Sequence, residues 1–139
     1  MAKREYVDEP DFIHGLRVVQ DGTEIYNALL KKETVMHWES GDSMYPILMD
    51  MEYCKIEPLN GEKPIVGDAV FCIVQFQPTD SAPVNVPMVH RCGEIVERDG
   101  ETYYKIESTN GYVFGWTKHV FGIAHSTNIF QRYGVDREQ

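Results

Sequence analysis

The sequence has no long hydrophobic run and no excess of basic residues. No stretch approaches the roughly 20 apolar residues of a membrane-spanning helix, and the charged N-terminus lacks an apolar signal core. The 13 basic residues are outnumbered by 22 acidic ones, for a net charge of −9. A negatively charged chain is repelled by the negatively charged phosphate backbone of nucleic acids. We therefore expect no membrane span and no nucleic-acid partner.

Metal-ligating residues are also few and scattered. The three cysteines, Cys54, Cys72 and Cys92, are an odd number at no metal-ligand spacing, which favours reduced thiols in a cytosol. The five histidines form no His-x-x-x-His or Glu-x-x-His run of the kind that metallopeptidases use. We expect no metal and no cofactor.

The chain is long enough for one domain with a single core. Seven or eight short strand patterns, Gly/Pro punctuation and one helix over 24–32, capped by Thr23, indicate a mainly β fold. Asp99-Gly100 predicts a hairpin turn. The proline-rich stretch 78–87 predicts an exposed loop, because proline cannot pair in a central strand. We expect an N-terminal arm at 1–14, a β domain at 15–124 and a C-terminal tail at 125–139.

The most informative stretch runs from Trp38 to Leu48 and reads Trp-Glu-Ser-Gly-Asp-Ser-Met-Tyr-Pro-Ile-Leu. Ser43 follows a Gly-Asp pair, and the proline three residues later stiffens the chain. A nucleophilic serine needs an exposed position and backbone N–H groups aimed at the developing oxyanion. Gly41 allows close approach of a substrate carbonyl, and Met44 can face the core or a substrate pocket. The alternative is an ordinary Gly-Asp-Ser turn.

Two further blocks follow in order. Val66-Gly67-Asp68-Ala69-Val70 is a turn that leads into a buried strand, and Val89-His90-Arg91 comes 47 residues after Ser43 at its histidine. A histidine, with an ordinary pKa of about 6.5, can accept a serine proton near neutral pH. The alternative for His90 is a strand histidine whose polar atoms are satisfied by a neighbour.

Together these blocks resemble the S24/S26 superfamily of serine peptidases, which includes the LexA/UmuD-type and signal-peptidase-type enzymes. The resemblance covers roughly residues 36–124. It implies a coiled, partly barrelled antiparallel β fold with one short N-terminal helix, Ser43 as nucleophile and His90 as base. It also implies backbone N–H groups of Ser43 and Gly41 as oxyanion donors, a substrate groove that includes Met44 and Tyr45, and a protein or peptide substrate.

The third catalytic position departs from this pattern. Histidine-type members carry a Lys-Gly-Asp-Asn-like stretch on the next strand, where this chain has Lys105-Ile106-Glu107-Ser108-Thr109-Asn110. Glu107 is the candidate acid that would orient His90, and the alternative is a surface residue on a hairpin. Lys105 is a further candidate base. The side chain of Asp42 should point away from Ser43 on an extended backbone.

Two functions follow from this pattern. The first is a soluble, cytoplasmic serine endopeptidase that uses a Ser-His dyad or triad. The second is a non-proteolytic structural protein that keeps the peptidase fold, such as a bacteriophage virion component of the capsid, neck or tail. Such a protein would contact copies of itself or virion neighbours. The missing Lys-Gly-Asp motif and the expectation of a bare domain, without anchor or DNA-binding module, motivate this alternative.

Overall fold

The structure is a computed structural model, and it describes residues 4–6, 10–39, 51–130 and 136–138. Within these ranges the fold is mainly β with one helix, as the sequence predicts. The serine segment (residues 40–50) lies outside the described residues. No helix in the described ranges is long and apolar enough to cross a membrane.

Nine strands form one mixed sheet in the order β2-β3-β4-β5-β10-β6-β7-β8-β9, and β1 pairs with β11 in a separate two-stranded sheet. The β3–β4 pair is parallel, and the other pairs are antiparallel. The elements are β1 (Arg4–Tyr6), β2 (Phe12–Ile13), β3 (Leu16–Val18), α1 (Gly22–Leu30), β4 (Val35–Glu39), β5 (Glu52–Pro58), β6 (Ala69–Phe76), β7 (Val84–Arg98), β8 (Glu101–Glu107), β9 (Val113–Thr117), β10 (Val120–Ile129) and β11 (Asp136–Glu138).

The helix begins two residues earlier than predicted, and its cap is Asp21 instead of Thr23. The Asp21 carboxylate accepts hydrogen bonds from the N–H groups of Thr23 at 2.9 Å and Glu24 at 3.1 Å. These bonds satisfy two of the N–H groups that a helix start leaves unpaired. Ile25, Ala28 and Leu29 are the buried face of the helix.

Two main groups of buried side chains stabilise the sheet. The first cluster lies where α1 packs on β5, β7 and β10, and it includes Ile56 of β5 and Phe71 of the neighbouring β6. The second cluster lies between β6, β7, β8 and β10 and includes Val70, Cys72, Cys92 and Ile106. Burial of these side chains removes apolar surface from water, which is the main favourable term in folding. Cys72 is fully buried, as its apolar strand predicts.

The sheet curls so that β9 returns to β6. The Thr117 hydroxyl donates to the Ile73 carbonyl oxygen at 2.7 Å, and the Ile73 N–H donates to the His119 carbonyl oxygen at 2.9 Å. Gly115, at a φ of +147°, lets β9 approach β6, since a Cβ there would lie 3.2 Å from a Val74 methyl carbon. The region around the second cluster is therefore enclosed on more than one side.

The structure corrects three boundaries. β7 begins at Val84 and pairs Pro87 with Ile73, so the loop predicted at 78–87 is shorter. Proline is tolerated here because β8 pairs with β7 only between Arg91 and Arg98, which leaves this part of β7 at an edge of the described sheet. The predicted boundary at 124 falls inside β10, and β2 brings part of the predicted N-terminal arm into the sheet.

The Asp99-Gly100 hairpin turn is confirmed. The two residues have φ values of +52° and +80°, and Arg98 pairs directly with Glu101. Positive φ at both central residues matches the twist of the flanking strands, which is why Asp-Gly is favoured there. The turn sets the β7–β8 register from Arg98 to Glu94, and the register shifts between Glu94 and Cys92.

Candidate functional site

His90 lies on β7, directly opposite Val70 on β6. Val70 belongs to the second cluster, as does Cys92 two residues along β7. Because side chains alternate along a strand, these contacts indicate that His90 faces the second cluster. The imidazole is half-buried at the edge of this apolar region.

The aromatic ring of Phe114, on β9, stacks on the imidazole. The ring centroids are 4.1 Å apart and the planes differ by 25°. Tyr112 packs edge-on against the Phe114 ring at a centroid distance of 4.9 Å. The Nδ1 atom of His90 is buried and has no hydrogen-bond partner within the described residues. The imidazole of His90 is therefore held by packing against Phe114, whereas in a Ser-His-Asp triad a carboxylate bound to Nδ1 orients the histidine.

Burial lowers the pKa of His90 below its ordinary value, and the negative charge of Glu39 opposes this by raising it. Burial disfavours the charged imidazolium because its hydration is lost. The neutral form is thus favoured near neutral pH, and this is the form that can accept a proton.

The carboxylate of Glu107 is bound to Arg91. The Nη1 atom of Arg91 donates a hydrogen bond to Oε1, and the Lys105 ammonium lies 3.9 Å from Oε2. Arg91 and Glu107 are direct cross-strand partners, so their side chains lie on one face of the sheet, and the adjacent His90 faces the other. This pairing corrects the expectation that Glu107 orients the imidazole, because its carboxylate is used on the opposite face. Lys105 contacts this ion pair.

Gly93 provides the space for the Arg91–Glu107 pair. A Cβ at this position would lie 2.3 Å from the Glu107 carboxylate carbon, so a side chain here would require the carboxylate to move. Gly93 is also the residue at which the β7–β8 register shifts, between Cys92 and Glu94. The bulge and the missing side chain together let the carboxylate lie against the backbone of β7.

Glu39 is the last residue of β4, and the serine segment follows it directly. Its side chain is 19 % exposed and lies 3.5 Å from the His37 Nε2 atom. The predicted nucleophile Ser43, the oxyanion residue Gly41 and the groove residues Met44 and Tyr45 all lie outside the described residues. Glu39 therefore adjoins the serine segment in sequence, and its negative charge raises the pKa of His90.

Glu52, the first residue of β5, ends the connection that contains the serine segment. It is fully buried and lies opposite Glu39. Its carboxylate accepts hydrogen bonds from the Ser126 hydroxyl at 2.8 Å and from the N–H groups of Thr127 at 3.0 Å and Asn128 at 3.1 Å. Buried carboxylates are stable when they accept several such bonds, so Glu52 ties the start of β5 to β10.

Sequence reasoning did not identify Phe114, Glu39 or Glu52 as residues of this region. Phe114 was visible in the sequence as an aromatic residue of a strand pattern, but that pattern does not tell which histidine it meets. Glu39 and Glu52 flank the serine segment in sequence. This position was only a weak indication of the effect of Glu39 on His90, in which a nearby carboxylate stabilises the charged imidazolium.

Comparison with known proteins gives no match. No family model, no curated protein and no solved structure matches this chain. The function is therefore argued from the residues and their geometry.

Proposed function

We propose that this protein is a serine endopeptidase of the signal-peptidase/LexA type, with Ser43 as nucleophile and His90 as general base. One observation carries the proposal: the His90 imidazole is half-buried and stacked on Phe114, and its buried Nδ1 atom has no hydrogen-bond partner among the described residues. Ser43 follows Glu39 by four residues, which a fully extended chain spans in about 14 Å at most. The charge of Glu39 also raises the pKa of His90, which supports pairing a nucleophile from this segment with a base on β7.

The proposed reaction proceeds in two steps. Ser43 Oγ attacks the scissile carbonyl carbon while His90 accepts the hydroxyl proton. The backbone N–H groups of Ser43 and Gly41 donate to the oxyanion. His90 then gives its proton to the leaving amine, and the peptide C–N bond breaks to leave an acyl-enzyme. His90 then takes a proton from water, which attacks the ester carbonyl carbon, and returns the proton to Ser43 Oγ as the C–O bond breaks and the acid product leaves. Met44 and Tyr45 would contact the substrate beside the scissile bond.

The environment of His90 supports the role of base. The lowered pKa keeps the ring neutral near pH 7, so the proton acceptor is available without a prior deprotonation. Glu39 provides a compensating negative charge for the imidazolium that forms during attack. Glu107 is assigned a structural role with Arg91.

The test is covalent labelling with a fluorophosphonate probe combined with cleavage of a peptide library. Wild type should react at Ser43 and cleave library peptides, and Ser43→Ala should abolish both. Ser40→Ala is the matched control, because it removes a serine hydroxyl three positions earlier in the same segment. Labelling of wild type that Ser43→Ala does not remove, or a wild type that neither labels nor cleaves, would contradict the proposal.

The second candidate function, a non-proteolytic structural subunit such as a virion component, is favoured by exposed aromatic residues near the chain ends. Phe12 is 61 % exposed and Phe130 is 52 % exposed, and assembly interfaces are formed where such exposed apolar residues are contiguous. The neighbouring Ile13 is instead buried. Sedimentation of wild type and of a Phe12→Ser, Phe130→Ser variant separates the two functions: a subunit self-associates through these residues, whereas a monomer in both cases removes this candidate.

A further inference from the structure

The contact between His90 and Phe114 differs from ordinary core packing in its geometry. Centroids 4.1 Å apart and planes within 25° place the aromatic face against the imidazole face. Most aromatic pairs prefer edge-on or offset arrangements with larger separations. Tyr112 also packs edge-on against Phe114, with 4.9 Å between the two ring centroids, and it limits the positions that the Phe114 ring can adopt.

A catalytic histidine needs two kinds of support. Its ring must be held in one orientation, and the imidazolium formed during proton transfer must be stabilised; in the Ser-His-Asp triad a carboxylate hydrogen-bonded to Nδ1 provides both. Here the buried Nδ1 has no partner among the described residues, and the nearest carboxylate on the following strand, Glu107, is held by Arg91.

We infer that Phe114 is a positioning residue for His90: the stacked ring, supported by Tyr112, fixes the imidazole orientation and stabilises the imidazolium through its π face. This inference rests on the proposed function for its catalytic consequence, but the effect on the imidazole itself does not depend on it. A cation over an aromatic face within about 6 Å of the centroid is attracted by the ring quadrupole, and more strongly where water is excluded.

The charged and titratable groups around His90 allow this effect to be measured. Glu39 is the charged group that acts on the imidazole. On the same face of β7, burial raises the pKa of the Cys92 thiol, and on β6 it raises that of Cys72 to about 12. Burial also raises the pKa of Tyr104 on β8. These three groups stay uncharged through the range in which His90 titrates, so a change in its titration reports on Phe114 and Glu39.

The test is a nuclear magnetic resonance titration of the His90 ring in wild type, Phe114→Leu and Phe114→Tyr. Leucine keeps the apolar burial but removes the π face, so the His90 pKa should fall further and the ring-current shift of its protons should disappear. Tyrosine keeps the ring and should restore both. In a peptide assay, Phe114→Leu should lower kcat about five- to thirtyfold with little change in KM, from the loss of a desolvated cation–π contact.

Phe121→Leu is the matched control. Phe121 lies beside another histidine, His119, but at a centroid distance of 6.4 Å, and its ring packs edge-on against Tyr26. Its replacement should leave the His90 titration unchanged. If Phe114→Leu does not fold, Tyr112→Ala decides, because Tyr112 is 63 % exposed and its loss should shift the His90 pKa in the same direction by a smaller amount.

The outcomes separate this inference from the proposed function. An unchanged His90 pKa and ring-current shift in folded Phe114→Leu, or in Tyr112→Ala where the former does not fold, overturns the inference. A shifted titration supports it, even if wild type shows no hydrolysis, in which case the peptidase proposal alone fails. An active wild type whose Phe114→Leu variant keeps full kcat overturns the catalytic part of the inference.

Discussion

Two consecutive residues of β7, His90 and Arg91, have opposite environments. Arg91 is ion-paired with Glu107 on one face of the sheet, where Gly93 provides the space for the carboxylate. His90 faces the apolar second cluster, stacks on Phe114 and has a buried nitrogen without a partner among the described residues. The first arrangement satisfies its polar groups, as a structural site does. The second leaves the Nδ1 atom of His90 without a partner among the described residues, and the pKa of the imidazole is lowered. Perturbed pKa values of this kind are typical of functional sites.

This difference predicts that activity and stability can be reduced separately, by substitutions on opposite faces of β7. The largest expected effect is on activity: His90→Gln should reduce kcat/KM by about 10²–10⁴-fold, the usual contribution of a general base. The same change should have little effect on the free energy of unfolding, because glutamine fills similar space and the ring is only half-buried. Peptide cleavage and urea unfolding measure the two effects. A His90→Gln variant that keeps wild-type kcat/KM would contradict the assignment of the base.

On the other face, Gly93→Ala should reduce the free energy of unfolding by about 1 kcal/mol, because the new methyl group displaces the Glu107 carboxylate and weakens its ion pair with Arg91. Urea unfolding of the variant measures this. The control is the same substitution in a Glu107→Ala background, which removes the atoms that the methyl group meets. The penalty should then shrink, and the difference is the coupling energy between the two positions. Equal penalties in both backgrounds would show that the carboxylate does not occupy this space.

Glu39→Gln should change the pH dependence of activity through the pKa of His90. The Glu39 carboxylate raises the pKa of His90, so its removal should lower that pKa further. The acidic limb of the kcat/KM profile should therefore move to lower pH, and the ring titration should move with it. Glu107→Gln is the matched control, since its carboxylate faces Arg91 and should leave the His90 titration in place. A profile unmoved by Glu39→Gln would show that the two side chains do not interact.

The smallest expected effect is on stability in acid. The pKa of His90 in the folded protein is lower than its ordinary value, so between these two values the unfolded chain binds a proton that the folded chain does not. Stability is thus unaffected well above pH 6.5 and falls as the pH drops through the ordinary pKa of about 6.5. His90→Gln should remove this part of the acid sensitivity. Urea unfolding at a series of pH values between neutral and mildly acidic, for both proteins, measures it.

Local patterns were sufficient for much of the fold. The Asp99-Gly100 turn, the buried strand that contains Val70 and Cys72, and the helix after Asp21 follow from turn chemistry and hydrophobic pattern. The exact ends were less predictable. Thr23 and Asp21 are both good capping residues, and the backbone geometry selected Asp21. Pro87 was excluded from a strand by a local rule, but the sheet leaves that part of β7 at an edge among the described strands.

Sequence alone was enough to predict that the chain is mainly β and that His90 lies on a strand between Val89 and Arg91. These depend on residues close together in the chain. Only the tertiary structure decided which groups surround His90. Phe114 lies 24 positions further along the chain and reaches the imidazole because β9 curls back towards β6, whereas Glu107, on the intervening strand, is turned to the other face by alternation. Neither outcome is encoded in any short segment, because both depend on the register and curvature of several paired strands.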